Sequence, residues 1–168
     1  MVAEQLFGVV PNFSEGRRTD VIDAICRALQ VPGAHLVYHQ ADPDHNRLDT
    51  TVLGDRDAVA RAALSGARVA VALIDMEHHT GGHPRMGAAD VIPFMPVRGV
   101  SMDACVDLAR AFGRELAETL AGFRPSASFG VAAFPLHGST AADVMKVADE
   151  ALYRAKERGG DDIFAFTD

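Results

Sequence analysis

The chain has 168 residues, 48% of them apolar and 23% charged, with a net charge of −7. That composition is globular rather than disordered, and the length allows one domain or two very small ones. The acidic balance argues against general nucleic-acid binding, which needs a basic face to neutralise phosphates.

Elements follow in chain order. Residues 5–10 read as a short buried strand, and Pro11 to Gly16 as a loop. From Thr19 to Gln30, Val21, Ile22, Ile25 and Leu29 share one helical face, and Val31-Pro32-Gly33 stops the helix. His35–His39 and Leu48–Leu53 are strand candidates joined by the polar stretch Ala41 to Arg47. Asp57 to Ile74 is helical in period, with Gly54 and Asp55 marking its start. Glycines and a proline between Glu77 and Gly87 forbid a regular element there. Val91–Val97 reads as a strand, which Pro93 and Pro96 restrict to a sheet edge or a bulge. Ser101 can cap a helix to Leu120 with Cys105, Leu108, Phe112, Leu116 and Leu120 inward. A strand at Ala127–Phe134 follows. A helix capped by Thr140 with Asp143 as its capping-box acid comes next, and then a strand at Ile163–Phe166.

Strands and helices interleave throughout. The expected fold is therefore α/β, more narrowly α+β of ferredoxin-like character. It has one mixed or mostly antiparallel sheet of about five or six strands with helices packed on it. Cys26 and Cys105 fall on inner helix faces and read as buried free thiols. No secretory segment precedes residue 10 and no apolar run approaches a membrane span, so the expected compartment is the cytoplasm.

His78, His79 and His83 cluster in the glycine-rich stretch. His79 and His83 have the i, i+4 spacing of a helical zinc pair, but Gly81, Gly82 and Pro84 oppose a helix through both, and no metal is expected. Two readings then stand on the residues alone. One is acid–base catalysis, since an imidazole of ordinary pKa about 6.5 moves protons at neutral pH and Arg85 lies close by in sequence. The other is a solvated loop with incidental histidines.

A resemblance bears on that choice. Val10 to Gly16, Asp44-His45-Asn46-Arg47, Leu73 to Met76, His83-Pro84-Arg85-Met86-Gly87-Ala88 and Asp90 to Val100 resemble the N-terminal subdomain of the glutamate formimidoyltransferase family, in the family's order. The resemblance implies transfer of a formimino group from N-formimino-glutamate to N5 of tetrahydrofolate, the co-substrate. It makes His83 the general base that takes the N5 proton. Arg85, Arg47 and Asn12 are the candidates for binding carboxylates or the amidine. In the family an acidic residue usually precedes the histidine, where this chain has Gly82. The family's folate site lies between two subdomains, so the resemblance also implies a missing C-terminal subdomain or a homodimer partner.

The tail resembles another family. Ser128 to Ala132, and the run Ala148 to Lys156 containing Ala-Asp-Glu-Ala-Leu-Tyr-Arg-Ala-Lys, look like the C-terminal end of a GGDEF domain. That likeness makes Lys156 a vestigial phosphate contact. It implies no cyclase activity, because the signature hairpin and metal-binding aspartates have no counterpart. The expected organisation is a chimera of residues 1–121 and 122–168 packed as a single domain.

Overall fold

A computed structural model describes residues 5–82, 87–120, 129–131, 138–157 and 163–165. The chain divides into two compact units, Met1–Val100 and Ser101–Asp168.

In the first unit the elements run β1 (Leu6–Val9), β2 (Asn12–Phe13), α1 (Thr19–Ala28), β3 (Ala34–Asp42), β4 (Arg47–Gly54), α2 (Arg56–Leu73), β5 (Ala89–Val91) and β6 (Phe94–Arg98). All six strands form one antiparallel sheet. They occupy four rows. β1 and β2 are one strand interrupted at Val10-Pro11, and together they pair with β4 on one side. On the other side they pair with β6 and β5, which are separated at Ile92-Pro93. β3 completes the sheet beyond β4. The expected strand at Val91–Val97 is thus split in two on a sheet edge, as its prolines dictate. The β-α-β-β-α-β order and antiparallel pairing are those of a ferredoxin-like domain.

The periodicity that marks the helices also assembles the core. Val21, Ile22, Ile25 and Leu29 of the α1 region are buried, as are Val59, Ala63, Ala67, Ala70 and Ile74 of the α2 region. Both helices pack on the sheet face made by Phe7, Val9, Phe13, Leu48, Thr50 and Val52. The small side chains of α2 let it approach closely. A Cβ at Gly66 would stand 2.7 Å from Leu29 Cδ2 and 3.2 Å from Phe13 Cζ. Asp55 caps α2 by accepting from the N–H groups of Asp57 (3.0 Å) and Ala58 (2.8 Å). The other sheet face carries Gly8, Arg47, Asp49, Thr51, Leu53, Met95 and Val97, with Met95 and Val97 exposed.

The second unit holds α3 (Met102–Leu120), β7 (Phe129–Val131), α4 (Ala141–Glu157) and β8 (Ile163–Ala165). Cys105, Leu108, Phe112, Leu116 and Leu120 form the buried stripe of α3. β7 and β8 pair in parallel, joined through α4, which packs on both. Thr140 and Asp143 form the expected capping box. The Asp143 N–H donates to Thr140 Oγ1 (3.2 Å) and the Thr140 N–H to Asp143 Oδ2 (3.0 Å). Both cysteines are free and buried, and burial pushes their thiol pKa values up. Among the described residues no helix is long and apolar enough to cross a membrane.

Candidate functional site

Alternation along β4 sends Leu48, Thr50 and Val52 to the helices and Arg47 to the opposite face. There the Arg47 guanidinium meets Asn12 of β2, donating through Nη2 (2.9 Å) and Nε (3.1 Å) to Oδ1. It also pairs with Asp90 of β5 and approaches Asp49 Oδ1 at 3.3 Å. Asn12 is itself oriented by donating to the Val10 carbonyl (2.9 Å). The register between β2 and β5 shifts between Asn12 and Phe13, so Asp90 is the extra residue of a bulge, a device that re-aims a side chain. The Arg47 and Asp90 side chains are only 14% and 3% exposed, so this ion pair is largely removed from water.

Two loops and a hairpin meet beside this cluster. The Ser14-Glu15-Gly16 loop is organised by Glu15, which is buried. Its carboxylate accepts from the N–H groups of Arg17 and Arg18, each at 2.9 Å, and from Arg18 Nε at 2.5 Å. Burial works against the charge, but these hydrogen bonds outweigh it and hold the carboxyl below its ordinary range. At the hairpin, Asp42 accepts from the N–H groups of Asp44 and His45 and from His45 Nδ1 (2.8 Å), contacts that lower its pKa. The glycine-rich stretch reaches the hairpin at Gly82, whose N–H donates to the Asp44 carbonyl (3.1 Å).

Of the residues expected at the site, the fold brings Arg47 and Asn12 together. His83 and Arg85 lie outside the described residues. Lys156 falls within α4, and its side chain is also outside the described set. Asp90, Asp49, Asn46 and Glu15 were not singled out from the sequence. Asp90, Asn46 and Glu15 lie inside stretches that carry the family resemblance, and for Asp90 an acidic residue at the start of a strand otherwise apolar is the available signal. Asp75, Glu77 and His78 bring three potential ligand atoms within 4.8 Å, all exposed. Asp75 accepts there from the Glu77 N–H (2.9 Å) and His78 Nδ1 (2.7 Å), which accounts for the turn after α2.

Fold and site together define a ferredoxin-like domain that gathers its polar chemistry at one end of an open sheet face, where three connections converge. The chain belongs to the formiminotransferase domain family, N-terminal subdomain, whose model matches residues 6–146. Among its relatives is the formimidoyltransferase-cyclodeaminase of Rattus norvegicus, 56% identical over 117 residues, covering 69% of this chain and 22% of the relative. The glutamate formimidoyltransferase of Thermoplasma acidophilum is 44% identical over 112 residues, 66% of this chain and 37% of the relative. That of Streptococcus pyogenes serotype M1 is 40% identical over 102 residues, 60% and 34% respectively. The chain thus spans between about a fifth and just over a third of the length of these relatives. The family match runs past residue 121, where the resemblance to the second family was expected to take over, and into α4.

Proposed function

We propose that the chain takes part in transferring a formimino group from N-formimino-glutamate to tetrahydrofolate, with His83 as general base. Family membership supports formimino transfer, and the convergence of the glycine-rich stretch with the Arg47 cluster is the observation that carries the assignment to these residues. In the reaction the attacking nitrogen forms a bond to the amidine carbon and gives up a proton. The bond from that carbon to the glutamate nitrogen then breaks, and that nitrogen gains a proton. A neutral imidazole suits the first proton transfer and, once protonated, the second. General-base help of this kind is worth about 10²–10⁴ in rate. Arg85, Arg47 and Asn12 are the proposed carboxylate- or amidine-binding residues. An arginine fork matches a carboxylate bidentately, and the carboxylates around Arg47 offer a counter-charge to an amidinium. A further subdomain or a second copy is proposed to complete the cleft over the open face, in the cytoplasm.

A second reading is a non-catalytic chimeric α/β domain with vestigial motifs, at most a weak binder of an anion or a folate, in which the tail only completes the fold and Lys156 is vestigial. The pairing of Arg47 with Asp90 and Asn12 favours it, since those contacts occupy the guanidinium structurally. Titration calorimetry with tetrahydrofolate, paired with a formimino-transfer assay on the wild type and His83→Ala, separates the two. Saturable heat together with turnover that His83→Ala abolishes supports the transferase reading. A chain that binds neither tetrahydrofolate nor N-formimino-glutamate supports the second.

A further inference from the structure

The β3–β4 register carries the polar end of the open face one row beyond the Arg47 cluster. Asp42 lies directly opposite Arg47, and Gln40 directly opposite Asp49. Asn12 faces Asp49 from the other side. Opposed residues of an antiparallel pair share a face, so Asp42 and Asp49 flank Arg47 on the open side of the sheet. Among the described residues, the strands contribute one cation at this end, Arg47, and three carboxylates, Asp42, Asp49 and Asp90. Arg17 is turned to the hairpin, where it donates to the Pro43 carbonyl through Nε (2.7 Å) and to Thr80 Oγ1 through Nη1 (3.3 Å).

The three carboxylates are not equivalent. Asp90 is buried and neutralises Arg47. Asp42 is taken up by His45 and by two backbone N–H groups, which keep it charged. The Asp49 side chain is 53% exposed, and its 3.3 Å approach to Arg47 Nε is longer than the bonds that Arg47 makes to Asn12. Asp49 is therefore the carboxylate that this end of the face presents to a ligand.

Charge decides which part of N-formimino-glutamate suits such a site. The molecule carries two carboxylates and an amidine, and an N-alkyl amidine is protonated at neutral pH. A carboxylate approaching Arg47 meets a guanidinium already neutralised, with Asp42 and Asp49 at its flanks, and like charges repel it. A planar amidinium offers two parallel N–H donors, which match a carboxylate as an arginine fork does. We infer that Asp49 is a specificity-determining residue that accepts the amidinium of the substrate, and that this end of the face turns away the substrate's carboxylates. The inference rests on the transferase reading above and deepens it. A carboxylate beside an amidinium favours the protonated form, whose carbon is the better electrophile for the attacking nitrogen.

The test compares N-formimino-glutamate with N-formyl-glutamate, which keeps both carboxylates and the shape of the group but has no positive charge. Each is titrated into the full chain, and NMR shifts of the Asn12, Gln40 and Asp49 amides report binding. The wild type should bind N-formimino-glutamate about tenfold more tightly than N-formyl-glutamate. Asp49→Asn should bring that ratio below about twofold by weakening N-formimino-glutamate alone. Asp49→Glu keeps the charge and should keep a preference for N-formimino-glutamate. If Asp49→Asn does not fold, Asp49→Ser decides by the same criterion. Equal affinity for the two ligands in the wild type overturns the inference and leaves the transferase reading standing. An unchanged ratio in Asp49→Asn, equal weakening of both ligands, or shifts only at other amides overturns it in the same way. Binding of neither ligand by the wild type, alone or with the C-terminal subdomain of a formimidoyltransferase added, overturns both.

Discussion

At the residue scale, two buried charges organise the site. Asp90 is almost wholly buried against Arg47, so removing the guanidinium leaves a carboxylate in a poorly solvated place. Arg47→Ala is expected to cost about 3–5 kcal/mol, and a double-mutant cycle with Asp90→Asn should return much of it as coupling. Denaturant unfolding of the four proteins measures this. Glu15 is the second charge. Its folded pKa is depressed, so its contribution is present above its unfolded value, about 4.5, and is lost as pH falls through the folded value. Glu15→Gln should therefore lower stability by about 1–3 kcal/mol at neutral pH. It should also flatten the acid limb, so that the two stability curves converge below about pH 4.5.

At the scale of elements, backbone contact holds the loops to the hairpin. A Cβ at Gly16 would collide with the Asp42 carbonyl oxygen and stand 2.6 Å from the Arg47 amide nitrogen. Backbone atoms cannot yield as a side-chain end can. Gly16→Ala should therefore destabilise by at least about 1–3 kcal/mol, with a lower thermal midpoint as the measurement. Periodicity made the helices legible. The α3 stripe and the Thr140–Asp143 box follow from spacing because a helix repeats its neighbours regularly. Pro93 and Pro96 marked the edge row for an equally local reason. The meeting of Asn12, Arg47 and Asp90 was not legible, because it depends on register across three strands and on a bulge. Asn46, whose amide joins Gly16 to Thr80, was hidden for the same reason: both its partners are at least 30 residues away.

At the scale of the whole molecule, the chain divides before α3, and the parallel β7–α4–β8 element forms its own two-stranded sheet. The family match extends to residue 146 and so covers all of the first unit's described sheet and α3. Formimino transfer with His83 as general base is the proposal that the whole molecule has to satisfy. The rate of transfer from N-formimino-glutamate to tetrahydrofolate is to be measured for the wild-type chain and for His83→Ala, each alone and with the C-terminal subdomain of a formimidoyltransferase added. Turnover by the wild-type chain is expected once the cleft is completed, with a rate about 10²–10⁴-fold lower in the variant. Equal rates in the two proteins, or no transfer by either even with the added subdomain, would overturn the proposal.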